Sequence, residues 1–77
     1  MDIDIAGDMI RLGQLLKYAG VVTDGGDAKA LIADGRVTVD GELELRRGRQ
    51  VVVGSVVEVD LPHGHEELRV ITTRRSR

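Results

Sequence analysis

Five cations in the middle of the chain have the residue types and the spacing that phosphate binding needs: Lys29, Arg36, Arg46, Arg47 and Arg49. An arginine can hold a phosphate with two parallel hydrogen bonds, and cations that follow a nucleic-acid backbone gain affinity from the counterions they release. Three of the arginines stand close together in the sequence, which concentrates charge at one point. We interpret the set as candidate phosphate contacts, and a solvated turn on an acidic protein is the alternative interpretation.

A second candidate set lies near the N-terminus, where Arg11, Gln14 and Lys17 recur every third residue. Such residues are neighbours on a helix surface, so they either contact a nucleic acid or form an ordinary polar face. Tyr18 is the sole aromatic residue, and the edge of the core is favoured for it over base stacking. Because single strands are usually read by stacking on aromatic rings, binding here would depend on phosphates, backbone shape and arginines.

Other kinds of site find little support in the sequence. Gly25-Gly26 opens a helix as phosphate-binding loops do, but no G-x-x-x-x-G-K-[ST] motif is present, which argues against nucleotide hydrolysis. His63 and His65 could face one side of a strand, yet no third metal ligand accompanies them. No set of nucleophile, base and orienting group is evident. We therefore predict a non-catalytic protein without a metal or a cofactor.

The length of 77 residues allows one small domain, which we assign to residues 1–73. The basic segment 74–77 is predicted to form a disordered tail. With no cysteine, neither a disulfide nor a thiolate zinc site can stabilise the fold. Apolar runs are too short to span a membrane, and acidic residues precede the first arginine, which disfavours a secretory signal. These features predict a cytoplasmic protein without membrane contact.

The charges are unevenly distributed along the chain. The formal net charge is −2, from 11 Lys and Arg against 13 Asp and Glu. Acidic residues dominate the segments 1–10 and 58–68, and basic residues dominate 36–57 slightly and 69–77 strongly. The average therefore conceals a basic face on an acidic molecule, if the fold brings the basic segments together.

Two helices are predicted in the first half of the chain. The first has Asp8 as its N-cap and ends at Gly20, whereas the second is capped by Thr23 or Asp24 and ends at Gly35. Their apolar stripes are Leu12, Leu15, Leu16 and Ala19 in the first helix and Ala28, Leu31 and Ile32 in the second. Because few residues connect the helices, we expect them to pack against each other.

Strands are predicted on both sides of the helices. Alternation near the N-terminus turns Ile3 and Ile5 inward, and Asp40-Gly41 predicts a tight hairpin because both turn positions need positive φ. Leu43 and Leu45 are expected to continue the apolar alternation on the return strand. Further strands are predicted at 51–53, 56–61 and 68–72, with a basic loop at 46–50 and a turn at 62–65. The fold class is α+β: two packed helices followed by a small, mostly antiparallel sheet with a β-hairpin.

Several short motifs occur in a specific order between Arg11 and Val59. They are Arg11-Leu12-x-x-Leu15-Leu16-Lys17-x-x-Gly20, Gly25-Gly26-Asp27-Ala28-Lys29, Ile32-x-x-Gly35-x-Val37-x-Val39-Asp40-Gly41-Glu42, Glu44-x-Arg46-Arg47 and Val53-Gly54-Ser55-Val56-Val57. Each motif alone is weakly specific, but the ordered set resembles the RNA-binding domain named after small-subunit ribosomal protein S-four. Within that family, the chain is most similar to the short, stand-alone bacterial members.

The resemblance implies an alpha-L type RNA-binding motif that holds structured RNA, often ribosomal RNA, and is not an enzyme. It also implies that the contacts come from the second helix and the β-loop, with the first helix beside the RNA. The candidate contacts are then Lys29, Arg36, Arg46, Arg47, Arg49, Arg11 and Lys17. Many members carry Ser-Arg before the second helix, where this chain has Asp24-Gly25, so that arginine contact is missing.

Two functions are consistent with the sequence. The leading hypothesis is a small cytoplasmic RNA-binding module that docks on structured RNA, with ribosomal RNA as the expected target, through a basic face of the second helix and the β-loop. The alternative is a protein-interaction adaptor that keeps the scaffold but has lost RNA affinity, as the negative net charge and the missing arginine suggest. Which RNA is bound and the oligomeric state are open, and a dimer through an edge strand is one option.

Overall fold

A computed structural model of the chain describes residues 1–73. The segment predicted to be a disordered basic tail, 74–77, lies outside the described residues. The order of helices and strands is β1 (Asp2–Asp4), β2 (Met9–Arg11), α1 (Leu12–Tyr18), α2 (Gly25–Ala33), β3 (Val37–Val39), β4 (Glu42–Leu43), β5 (Gln50–Val52), β6 (Val56–Leu61) and β7 (Gly64–Ile71).

The strands form a five-stranded sheet in the order β1-β7-β6-β3-β4 and a separate ribbon of β2 and β5. β1 runs parallel to β7, and the other pairs within residues 1–73 are antiparallel. The predicted α+β fold, with two helices and a mostly antiparallel sheet that includes a hairpin, is confirmed. Neither helix in the described part of the chain has the length and apolar character to cross a membrane.

The hydrophobic core lies between the helices and one face of the larger sheet. Leu15 and Leu16 of α1 and Ile32 of α2 are fully buried there. Successive strand residues point to opposite faces, so the sheet contributes every second residue. Its buried residues on β3, β6 and β7 are Val37, Val39, Val57, Val59, Leu68 and Val70. Ile3 and Ile5 also face the core, as the alternation near the N-terminus predicts.

Both helices end as predicted, but only α2 begins as predicted. Asp24 is the N-cap of α2, and its side chain accepts a hydrogen bond from the backbone N–H of Asp27 at 2.9 Å. The first helix does not begin after Asp8, because residues 9–11 form β2 and the N-cap is Arg11. The prediction of Asp8 as the cap is wrong because β2 pairs with β5, a distant segment of the chain.

The hairpin between β3 and β4 has the predicted turn, but the side chains that follow the turn point to the faces opposite to those predicted. Asp40 (φ 52°) and Gly41 (φ 85°) both adopt positive φ. Leu43 pairs with outward-facing Thr38, so Leu43 and Leu45 are exposed by 59% and 57%. The prediction that these leucines continue the core-facing alternation is wrong. The residue between them, Glu44, is the one that points inward.

The last hairpin is tighter than predicted. Strand pairing continues to Leu61 opposite Gly64, so the connection consists of Pro62 and His63 alone. β7 therefore begins at Gly64, four positions before the predicted start at Leu68. The sequence predicts a longer turn because Pro62, Gly64 and the two histidines have low strand propensity. Pairing of β7 along the whole length of β6 overcomes this preference.

Candidate nucleic-acid interface

The segment between β4 and β5 is fixed to the start of α1. We call residues 46–49 the basic loop; Gln50, predicted to belong to it, is already part of β5. The N–H of Leu12 donates to the carbonyl of Arg49 at 2.8 Å, and the N–H of Gly13 donates to the carbonyl of Arg47 at 3.0 Å. The first N–H groups of a helix have no partner within the helix, so the basic loop supplies the cap that Arg11 does not.

Glu44 anchors two of the arginines in the basic loop. One carboxylate oxygen accepts from Arg49 Nη1 at 2.6 Å. The other accepts from the backbone N–H of Arg46 at 2.9 Å and from Arg46 Nε at 3.2 Å. Only 5% of Glu44 is exposed. The hydrogen bond from Arg49, followed by those from Arg46, lowers the pKa of Glu44 from its usual 4.5 to about 2, so the carboxylate is charged at neutral pH.

A basic cleft opens where α1, the start of α2 and the basic loop meet. It has a volume of about 340 Å³ and is lined by Arg11, Gly13, Gln14, Lys17, Gly25, Ala28, Arg47 and Gly48. Its three charged lining residues, Arg11, Lys17 and Arg47, are all cations. Backbone at Gly13, Gly25 and Gly48 forms part of the wall without side chains, which leaves room for a ligand to approach closely.

The cationic surface continues across the basic loop. A shallow depression on its far side is lined by Arg46, Gly48, Arg49 and Gln50, so Gly48 separates it from the basic cleft. Arg46 has three quarters of its side chain exposed, whereas Arg49 is one third exposed. The fold therefore brings together five of the seven predicted RNA contacts: Arg11, Lys17, Arg46, Arg47 and Arg49.

The other two predicted contacts lie apart from this group. Lys29 is exposed on α2, one helical turn beyond Gly25, and so borders the basic cleft without lining it. Arg36 is on the opposite side of α2, in a groove that also contains Leu61 and Pro62. Its guanidinium lies 3.8 Å from the carboxylate of Asp60, an exposed ion pair.

Tyr18 and His65, which the sequence also singled out, lie away from the basic cleft. Tyr18 is 65% exposed beside Asp4 and Ala6, so its predicted place at the edge of the core is wrong, and it does not line the basic cleft. His65 lies 3.7 Å from Glu58 across β6 and β7. Within residues 1–73, no group of three His, Asp or Glu side chains is arranged to hold a metal ion.

Glu44 and Gly13 shape the candidate interface, and the sequence predicts this for neither of them. Glu44 stood in the motif Glu44-x-Arg46-Arg47, but the expected alternation turned its side chain to solvent. The available signal was its position. Arg46 and Arg49 follow Glu44 by two and five residues, so one carboxylate can bond to both if the chain between them forms a turn. Gly13 gave no local signal, because the segment that approaches it comes from more than thirty residues further along the chain.

A two-helix unit and a β-loop that together surround a cation-lined cleft are typical of a small nucleic-acid-binding module. A family model described as S4 domain matches residues 3–70, and the chain therefore belongs to the S4 domain family. This confirms the resemblance to the domain named after ribosomal protein S-four, and with it the RNA-binding class of the fold.

Two curated relatives extend the comparison. The chain is 47% identical over 58 residues to the probable ribosome maturation protein RlbA of Bacillus subtilis, an alignment that covers 75% of this chain and 82% of the relative. It is 42% identical over 48 residues to the putative RNA-binding protein YbcJ of Escherichia coli, covering 62% of this chain and 69% of the relative. Both alignments are longer than the helical unit alone.

Proposed function

We propose that this protein is a non-catalytic module that docks on structured RNA through the basic cleft and the basic loop. The observation that carries the proposal is the convergence of Arg11, Lys17 and Arg47 on one cleft, with Arg46 and Arg49 on the adjoining surface. Cations on three separate segments, held by backbone hydrogen bonds between loop and helix, form a rigid array that can match the phosphates of a folded RNA.

Ribosomal RNA is the target that we propose. The name of the Bacillus subtilis relative refers to ribosome maturation, and that of the Escherichia coli relative to RNA binding. Both relatives are bacterial, and bacterial ribosomes and their precursors lie in the cytoplasm, where we place this protein. Lys29 would extend the contact along α2, since it borders the basic cleft.

Recognition would depend on RNA shape and not on stacking of bases. The chain has no Phe or Trp, and its one Tyr lies outside the basic cleft. An array of arginines and glycine backbone favours phosphates, 2′-hydroxyls and the overall path of a folded strand. The protein should therefore prefer folded RNA over both unstructured RNA and duplex DNA.

The direct test is a binding titration with a labelled fragment of structured ribosomal RNA and a duplex DNA of equal length, each at two salt concentrations. We expect tight binding to the RNA that weakens steeply with salt, because several phosphates are neutralised. The double charge reversal Arg46→Glu, Arg47→Glu should remove most of the RNA affinity while the circular dichroism spectrum is retained. Arg69→Glu is the control for a reversal outside the interface, since Arg69 lies on β7 near Asp2. Unchanged RNA binding by a folded double variant would refute the proposed interface.

A protein-interaction adaptor is a second candidate, and the charge of the larger sheet favours it. The face that points away from the helices carries exposed Asp2, Asp60 and Glu67 and half-exposed Glu58. Arg69 and Arg36 pair with Asp2 and Asp60, so these four acids face two arginines and the balance remains negative. Such a face complements a basic protein partner. If the titration finds no RNA binding even at low salt, this acidic face becomes the surface to test.

A further inference from the structure

We propose that Glu44 is a positioning residue that makes the RNA contact selective, a role that depends on the proposed RNA-binding function. It would hold the guanidinium groups of Arg46 and Arg49 in place before RNA arrives and cancel part of the charge of the basic loop. Both effects favour an RNA whose phosphates match the fixed guanidinium groups over polyanions that bind through charge alone.

The position of Glu44 is unusual for a carboxylate. It lies at an inward-facing position just beyond β4, where only 5% of the residue is exposed, and its backbone N–H donates to the carbonyl of Val37. Burying a charge is unfavourable unless it is paired and hydrogen-bonded. An apolar side chain would avoid that cost but would leave the backbone N–H of Arg46 without its acceptor and the guanidinium of Arg49 without its partner, so the acid at this place is tied to the two arginines.

The hydrogen bonds of Glu44 leave both arginines able to bind a further anion. Arg46 donates through Nε and its backbone N–H, so neither of its terminal Nη groups is used by Glu44. Arg49 donates through Nη1 and remains one third exposed at the surface depression beside Gly48. Guanidinium groups that are already oriented lose less rotational freedom when they bind a phosphate, so more of the interaction is available as affinity.

The charge of Glu44 acts in the same direction. It neutralises one of the three positive charges that Arg46, Arg47 and Arg49 give to the basic loop. Nonspecific attraction to nucleic acid depends on the number of phosphates that cations neutralise, whereas a matched RNA also benefits from geometry. Loss of the carboxylate should therefore strengthen binding to duplex DNA and weaken binding to the matched RNA.

The test compares Glu44→Gln with Glu42→Gln, which makes the same charge change at an exposed residue of β4 that forms no ion pair within residues 1–73. Dissociation constants are measured for the structured ribosomal RNA fragment and for duplex DNA at one salt concentration. We expect Glu44→Gln to reduce the ratio of RNA affinity to DNA affinity about tenfold, and Glu42→Gln to change it less than about twofold. NMR spectra of the arginine N–H groups that bond to Glu44, Nε–H of Arg46 and Nη1–H of Arg49, provide a readout that is independent of RNA. Both signals should be slowly exchanging in the wild type and lost or shifted in Glu44→Gln.

Several outcomes overturn the inference. If the wild type binds the RNA selectively and Glu44→Gln is equally selective, Glu44 has no positioning role even though the proposed function stands. If the Arg46 Nε–H and Arg49 Nη1–H signals exchange as fast in the wild type as in the variant, the arginines are not held in place. If the wild type does not bind RNA, the proposed function itself fails. If Glu44→Gln does not fold, Arg49→Lys is the alternative variant, because lysine retains the charge but lacks the planar guanidinium group that bonds to Glu44. Unchanged selectivity in Arg49→Lys would overturn the inference as well.

Discussion

The aliphatic stem of Arg47 lies directly against the backbone of Gly13. A Cβ atom placed on Gly13 would be 2.5 Å from Cγ of Arg47, closer than real Cβ atoms approach other heavy atoms. The N–H of Gly13 also donates to the Arg47 carbonyl at 3.0 Å, so the two residues touch at both side chain and backbone. This contact joins the basic loop to α1 and fixes the position of the Arg47 side chain between the loop and the helix.

The first prediction tests that contact with Gly13→Ala. The added methyl group must displace the Arg47 stem, so we expect a loss of about 1 kcal/mol in the free energy of unfolding, despite the better helix propensity of alanine. RNA affinity should fall as well, because Arg47 leaves its place in the basic cleft. Urea denaturation and the RNA titration measure the two effects. Gly7→Ala is the control, since no atom lies within 4 Å of a Cβ at Gly7. If the wild type and Gly13→Ala bind the RNA equally well, the position of Arg47 against Gly13 does not determine the RNA affinity.

The sequence predicts those features whose cause is local. Asp24 caps α2 through an N–H three residues away, and Gly35 follows the end of that helix with φ 76°. The turn at Asp40-Gly41 needs positive φ at two adjacent positions, which this dipeptide tolerates. In each case the residue type and its immediate neighbours determine the conformation, so no knowledge of the tertiary structure is needed.

The features that the sequence does not predict depend on distant segments. Residues 9–11 become a strand only because residues 50–52 pair with them, and the basic loop then takes the capping role assigned to Asp8. Glu44 is polar but turns inward, because its backbone N–H bonds to the Val37 carbonyl and its carboxylate accepts hydrogen bonds from Arg46 and Arg49. The candidate cations were recognisable as residue types, but their grouping around Gly48 and the separation of Arg36 follow from the fold.

The second prediction concerns the turn between β3 and β4. The Asp40 carboxylate accepts from the N–H of Val56 at 2.9 Å and from the hydroxyl of Ser55 at 3.0 Å, which ties the turn to the start of β6. Asp40→Ala should lower the free energy of unfolding by about 1–2 kcal/mol, because both acceptors are lost and alanine tolerates positive φ poorly. Asp40→Asn, which keeps one oxygen acceptor and suits the turn, should lose much less. A thermal melt of the three proteins gives the comparison, and a melting temperature of Asp40→Ala equal to that of the wild type would exclude a stabilising role of these hydrogen bonds.

The third prediction distinguishes Arg47 from Arg36, both of which the sequence proposes as RNA contacts. Arg47 lines the basic cleft, whereas Arg36 lies across α2 beside Asp60. Arg47→Ala should weaken RNA binding about tenfold and reduce the slope of log K against log salt by about one. Arg36→Ala should change affinity less than about twofold, since it removes the same charge at a greater distance from the interface. A salt series with each variant measures both quantities. A loss for Arg36→Ala as large as that for Arg47→Ala would extend the interface around α2.

The fourth prediction is a dependence of stability on pH that Glu44 causes. Its pKa falls from 4.5 to about 2 on folding, chiefly through the hydrogen bond from Arg49. A carboxyl group whose pKa is lowered in the folded state binds its proton more readily in the unfolded chain. Its contribution to stability is therefore fully present above about pH 4.5 and is lost as the pH falls toward 2.

The measurement is the urea midpoint of the wild type and Glu44→Gln at intervals from pH 6 to pH 2. Glutamine cannot ionise, so the stability advantage of the wild type should be constant above about pH 4.5 and shrink progressively below it. Glu42→Gln is the control for the loss of one negative charge on the same segment, because Glu42 is exposed and not bonded to either arginine. A difference between wild type and Glu44→Gln that stays constant down to pH 2 would mean that the carboxylate is not held by Arg46 and Arg49 in solution. The basic loop would then have to be positioned by its backbone hydrogen bonds to Leu12 and Gly13 alone.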